Sequence, residues 1–210
     1  MRIADLTHTI TEQMPVYPGT EQPLLKTANT IEKDGFRETL LHMYSHTGTH
    51  MDAPAHMFAD KPTLDRMEAN SFAGRAVAVD CREIPRGGRI TAANITDTPG
   101  YSEAEFLLFC TGWDRKWYED GYFSGFPVMD ESAAKLVLEL KLKGVGVDCI
   151  SVDPVDVYTN HDRLLPEGVV LIENLTGLDA LIGRSFDFFA LPLKFIDSDG
   201  APVRAVAVLA

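Results

Sequence analysis

Six histidines occur in this 210-residue chain, and four of them, His42, His46, His50 and His56, fall within 15 consecutive positions. The segment Ser45-His46-Thr47-Gly48-Thr49-His50-Met51-Asp52-Ala53-Pro54-Ala55-His56 carries the pattern HxxxHxDxxxH. Imidazole and carboxylate donors suit zinc, manganese or iron(II). Two histidines and one aspartate would leave coordination positions open for water or substrate, as a catalytic ion requires. A lone histidine is usually a surface or core residue, but four donors around a small-residue HTGTH segment predict a metal site on His46, His50 and Asp52 with His56 beside it.

The spacing also says how the chain must run. His46, His50, Asp52 and His56 share even parity, which places side chains on one face of an extended chain. On a helix Asp52 would turn roughly half a revolution away from His46 and His50, at about 100° per residue. A straight strand would separate His46 from His56 by roughly 33 Å, at about 3.3 Å per residue. The segment must therefore bend, and Gly48 and Pro54 are the residues that permit it. His42 is read as structural, with an outer-ligand role as the alternative, and His8 in Thr7-His8-Thr9 is less informative.

A second group lies downstream, where Asp153-Pro154-Val155-Asp156 precedes His161 and Glu173 closes the apolar run Val169–Ile172. An acid at a strand end is more often solvated or a cap, so these residues are weak signals alone. The three cysteines, Cys81, Cys110 and Cys149, have no CxxC spacing and apolar neighbours. With their odd count, that argues against a disulfide framework or a Cys-based zinc site and for small buried hydrophobes.

The elements that must position these groups can be read coarsely. Apolar runs rich in β-branched and aromatic residues predict strands at 75–79, 105–111, 145–150, 168–173, 186–193 and 203–209, with weaker ones at 2–6 and 39–45. Ala133, Leu136, Val137 and Leu140 recur at helical spacing, predicting a helix over 131–143 capped by Asp130 or Ser132, with Gly144 as its C′ residue. Strict alternation over 138–143 makes a strand its rival there. The pattern predicts a mixed α/β or α+β domain of many strands and few helices. The net charge of −12, from 31 acidic and 19 basic residues without a basic cluster, argues against nucleic-acid and other polyanionic partners. No apolar stretch approaches the roughly 18 residues of a membrane span, and no signal sequence is visible, so a cytoplasmic location is expected.

The stretch from His46 to His56 resembles the HTGTHxDxPxH signature of the metal-dependent cyclase family, which includes bacterial kynurenine formamidase and isatin hydrolase. Ala4-Asp5-Leu6-Thr7-His8, Met14-Pro15-Val16-Tyr17-Pro18-Gly19, Thr111-Gly112-Trp113, Ile172-Glu173-Asn174-Leu175 and Pro192-Leu193-Lys194 match that family in order. The resemblance implies an α/β fold, a single compact domain over residues 1–210 with a mixed, barrel-like β-sheet flanked by helices. It implies one or two divalent ions, zinc or manganese, held by His46, His50 and Asp52 and completed by His161 and Glu173. It implies His56 as general acid/base and Tyr17 against an aromatic substrate, and homodimers or homotetramers.

The chemistry expected is hydrolysis of an amide-type C–N bond of a small, aromatic substrate, an arylformamide such as N-formylkynurenine or a cyclic amide. Activated water attacks the carbonyl and His56 protonates the leaving amine. A metal-dependent cyclase or dehydratase is the alternative enzyme class, and a non-catalytic metal-binding module the alternative outside enzymes. His56 as a further metal ligand stays open, and Asp153 is a candidate to orient a ligand histidine.

Overall fold

The computed structural model describes residues 1–209. Twelve strands lie in chain order: β1 Arg2–Asp5, β2 Leu24–Asn29, β3 Glu38–His42, β4 His50–Asp52, β5 Ala73–Asp80, β6 Arg89–Ile90, β7 Phe106–Cys110, β8 Val128–Met129, β9 Gly144–Val147, β10 Val170–Glu173, β11 Ser185–Pro192 and β12 Gly200–Leu209. The helices are α1 Ile31–Asp34, α2 Ala92–Thr96, α3 Glu131–Glu139 and α4 Thr159–Leu164. The main sheet runs β1-β12-β11-β5-β7-β9-β10-β4, and an additional β12–β4 pairing closes seven of those eight strands into a barrel. In that sheet β5, β7, β9 and β10 are mutually parallel, and its remaining ladders are antiparallel. This is the mixed, barrel-like sheet with few helices that the sequence implies.

Burial follows the two kinds of ladder. Parallel β7, Phe106-Leu107-Leu108-Phe109-Cys110, is buried at every position, as a strand covered on both faces must be. Phe106 and Leu108 join Ala76, Ala78, Phe186, Phe188, Ala205 and Ala207 inside the barrel. Leu107 and Phe109 join Val77, Val79, Val145 and Val147 in a second layer beneath Ile95, Ala133 and Val137 of α2 and α3. Antiparallel β11 alternates strictly between exposed and buried up to its last residue. Gly144 and Gly146 face the barrel interior, where an added Cβ would fall 2.6 Å from Val170 and from Leu175. Only glycine lets β9 lie that close to its neighbours.

Several predicted boundaries shift: the strand at 39–45 ends at His42 and the one at 203–209 begins at Gly200, and two further misses have a clear physical cause. The helix α3 begins on Asp130, whose side chain accepts from the Ala133 N–H, but it stops at Glu139 instead of Lys143. Lys141 takes the left-handed turn at φ 54°, and Gly144 opens β9 instead of capping the helix. The sheet wins this segment, because Lys143 N–H donates to Glu105 C=O and Lys143 C=O accepts from Val170 N–H. β9 likewise ends at Val147, short of the predicted Ile150. Asp148 leaves the ladder to accept hydrogen bonds from Thr111 N–H, Thr111 Oγ1 and Gly112 N–H.

Candidate metal centre

The short strand β4 sits between β10 and β12, pairing His50 with Glu173 and Pro202, and Asp52 with Leu171 and Gly200. Met51 points into the barrel core. Alternation then sends His50 and Asp52 to the outer face, and Glu173, opposite His50, to the same side. The approach to β4 is the predicted bend. Gly48 adopts φ +66° against Ile10 and Met14. Thr49 Oγ1 accepts from His8 N–H and donates to Asn174 C=O, and Asn174 Nδ2 donates to Gly48 C=O at 2.9 Å. Pro54 opens a single 3₁₀ turn, Pro54–His56, that returns His56 toward His46, with ring centroids 4.1 Å apart.

His161 arrives from α4. The Asp153 carboxylate accepts from the backbone N–H groups of Asn160 and His161 at the start of that helix. The same carboxylate lies 2.9 Å from His161 Nδ1. One buried acid thus fixes both the helix and the ring, the orienting role foreseen for Asp153.

The resulting geometry has an unusual polarity. His50 Nδ1 lies 2.9 Å from Gly48 C=O, which can only accept, so that nitrogen carries the proton. His50 Nε2 then faces Asp52 Oδ1 and Glu173 Oε2, 3.4 and 3.5 Å away. His161 Nε2 faces Asp52 Oδ2 and Glu173 Oε1, both at 3.6 Å. Glu173 Oε1 is buried with no hydrogen-bond partner. Four side chains therefore converge on one small space at distances too long for good hydrogen bonds.

Charge follows the same arrangement. Burial, and then the neighbouring Asp52 carboxylate, raise the Glu173 pKa. Burial opposes protonation of His161, but Asp153, Asp52 and Glu173 outweigh it and raise that ring to about 12. His46 is likewise raised to about 10 against its burial, by Asp52 and Asp199. The buried carboxylates thus call for positive charge, which the two rings meet by holding protons, and a divalent cation among these donors would supply it in their place. The set of imidazoles and carboxylates, with an orphaned buried oxygen, fits such an ion. Three overlapping groups have donor atoms within 4.8 Å of one another: His46, His50 and Asp52; Asp52, His161 and Glu173; and His46, His56 and Asp199.

The structure thus brings His46, His50, Asp52, His56, His161 and Glu173 together around one cavity of about 310 Å³, with Tyr17 on its wall. His42 stays out, exposed on β3 in the β2–β3 hairpin. His8 is also elsewhere, stacked on Trp117 with ring centroids 4.2 Å apart. Sequence reasoning missed Asp199, whose Oδ2 lies 3.1 Å from His46 Nε2 and 3.9 Å from His56 Nδ1. The hydrogen bond from His46 holds Asp199 at about 2. The signal available was the acid-glycine pair Asp199-Gly200 opening a strand. A Cβ at Gly200 would meet His46 Cε1 at 2.3 Å, so glycine there makes room for the ring.

The family model for Cyclase matches residues 4–154. The chain belongs to the Cyclase family. Among its relatives in that family is a kynurenine formamidase of Erythrobacter litoralis (strain HTCC2594), 31% identical over 98% of this chain and 93% of its own. A solved structure described as a potential metal-dependent hydrolase with cyclase activity is 29% identical, with a TM-score of 0.79 over 98% of this chain and 96% of its own. An isatin hydrolase bound to the product analogue thioisatinate shares the fold at a TM-score of 0.88 and 21% identity, over 99% of this chain and 92% of its own. This Cyclase-family chain is accordingly a hydrolytic enzyme.

Proposed function

We propose that the enzyme hydrolyses the amide-type C–N bond of a small aromatic substrate, an arylformamide such as N-formylkynurenine or a cyclic amide. The observation that carries this reading is the convergence of His50, Asp52, His161 and Glu173 around an orphaned buried oxygen, at the floor of a cavity walled by Tyr17 and Tyr158. One or two ions, zinc or manganese, would be held by His46, His50, Asp52, His161 and Glu173. Such an ion lowers the pKa of water and polarises a carbonyl.

The chain's own residues do the rest. Asp153 and the Gly48 carbonyl hold His161 and His50 with Nε2 facing the carboxylates. Tyr17 donates from its hydroxyl to Asp156 Oδ1 at 2.9 Å, which fixes its ring on the cavity wall as a surface for an aromatic group. His56 is the group placed to move a proton. Burial lowers its pKa, which keeps the ring neutral and able to take a proton from water and pass it to the leaving nitrogen. Asp199 sits beside its Nδ1.

β1 from the start of the chain pairs with β12 at its end, and β12 also closes the barrel onto β4, which supports residues 1–210 as one domain. No helix among the described residues is long and apolar enough to cross a membrane, in keeping with a cytoplasmic enzyme on a small-molecule substrate. The exposed Leu40 and Leu41 of β3 support assembly as a homodimer or homotetramer. The test is turnover of N-formylkynurenine, formanilide and isatin by protein reconstituted with zinc or manganese, beside a chelated control. Metal-dependent cleavage of any of them supports the reading. No cleavage of any by metal-loaded protein overturns it.

A further inference from the structure

The floor of the cavity is explained by the metal-ligand groups, but its outer part is not. That part is made by Tyr17, Tyr44, Val155, Asp156, Val157 and Tyr158. Among the described residues no lysine or arginine lines the cavity at any depth. Its carboxylates therefore have only histidines, and any bound cation, as positive partners. At the floor, an ion among Asp52 and Glu173 is matched by those acids. Asp199 stands beside His46 and His56, and among the described residues of the outer wall the one side chain of charged type is Asp156.

Asp156 is fixed in place. It sits at φ 63°, a left-handed conformation that aspartate tolerates better than most residues. Its Oδ1 accepts from the Tyr17 hydroxyl at 2.9 Å, and its N–H donates to the same oxygen at 3.1 Å. The carboxylate is thus held at the rim of an aromatic wall.

We propose that this cavity selects substrates that are uncharged or cationic at the end remote from the scissile bond, and rejects those carrying a carboxylate there. The proposal rests on the amide-hydrolase reading and adds a charge rule to it. Val157 and Tyr158 are 42% and 43% exposed, so a carboxylate entering between them and Tyr17 would keep part of its water but shed the rest without gaining a cationic partner, and would do so beside Asp156. Loss of hydration without a compensating partner disfavours a buried charge, and a like charge adds to it. An ammonium or amidinium at the same place would meet Asp156 and the faces of two tyrosines, an arrangement that attracts cations. A zwitterion such as N-formylkynurenine carries both kinds of group and does not discriminate.

The discriminating probes share one scissile bond. They are 4-formamidobenzamide, its anionic isostere 4-formamidobenzoate, and the cationic 4-(aminomethyl)formanilide, assayed with metal-loaded enzyme. The charge lies away from the formyl group, so the effect falls on KM. The amide is expected to exceed the benzoate by about tenfold or more in kcat/KM, and the cation to equal or exceed the amide. In Asp156→Asn, which keeps an acceptor for Tyr17 and tolerates the left-handed backbone, the amide-to-benzoate ratio is expected to fall by about 3–10-fold. A ratio cancels any change in metal loading or folded fraction.

Equal or preferred hydrolysis of the benzoate by the wild type overturns the charge rule while leaving the hydrolase intact. An unchanged ratio in Asp156→Asn overturns the role of Asp156. If no probe is cleaved, the arylformamide part of the hydrolase reading fails. Calorimetric binding of the three compounds to the metal-loaded protein then still decides the charge rule: the benzoate binding weakest supports it, and the benzoate binding as tightly as the amide overturns it.

Discussion

Replacing Gly200 by alanine would strike the metal centre without touching a ligand. Gly200 opens β12 opposite Asp52, and its φ is not positive, so alanine adopts the same backbone. The added Cβ would fall 2.3 Å from His46 Cε1, 2.5 Å from Nε2 and 2.9 Å from Nδ1, where ordinary contact begins at 3.4 Å. The ring must therefore retreat by about 1 Å or more. It cannot retreat freely, since Nδ1 is 2.7 Å from Asp52, Nε2 is 3.1 Å from Asp199 and the His56 ring is 4.1 Å away. His46 is partly exposed, with 22% of its side chain accessible, so it swings toward solvent before the β4–β12 ladder breaks. Changes at groups that orient metal ligands cost about 10–100-fold in metal affinity, which is about 1.4–2.8 kcal/mol. The metal-free chain should change little in stability, because the lower backbone entropy of alanine in a strand, worth about 0.5–1 kcal/mol, offsets part of the lost hydrogen bonding. A competition titration against a chromophoric chelator reads the affinity, and circular dichroism reads the fold. A folded Gly200→Ala variant that binds zinc and manganese as tightly as the wild type would refute the placement of His46 among the ligands.

Three further outcomes are expected. His56→Ala should retain its metal while kcat falls by about 10²–10⁴-fold; loss of metal by elemental analysis would instead make His56 a ligand with His46 and Asp199. Tyr17→Ala should raise KM for aromatic amides by about 2–10-fold, the worth of one aromatic contact, with a smaller change in kcat; an unchanged KM removes Tyr17 from the substrate surface. Tyr122→Phe should destabilise the fold by about 1–3 kcal/mol, since it strips Asn174 Oδ1 of a buried 2.6 Å hydrogen bond in the residue that also holds Gly48. An unaltered urea midpoint would show that this support is dispensable.

How much of this was legible beforehand depended on distance along the chain. His46, His50, Asp52 and His56 stand within eleven positions, so their chemistry could be read directly. His161 and Glu173 carry no local pattern that separates them from a solvated residue and a strand-end acid, so they were weak signals by themselves and took a metal-binding role only through the family resemblance. Asp199 was passed over despite its acid-glycine pair, because its partner His46 is 153 positions away and becomes a neighbour only when β12 pairs with β4. The same pairing closes the barrel, and β4 is three residues long, too short for any periodicity to show. The long strands were readable for opposite reasons: β7 as an unbroken apolar run covered on both faces, β11 as an alternation with one face in water. The end of α3 was misplaced because helical periodicity over 131–140 runs on into residues that the sheet takes up through Lys143.

The central claim, metal-dependent hydrolysis at this site, is tested most directly by the origin of the product oxygen. Metal-loaded enzyme is given an aryl formamide in ¹⁸O-labelled water, and the released formate is analysed by mass spectrometry at early turnover. One labelled oxygen per product, formed with metal and abolished by chelation, is the predicted result. Product formed without label, or at an equal rate after the metal is removed, would contradict it.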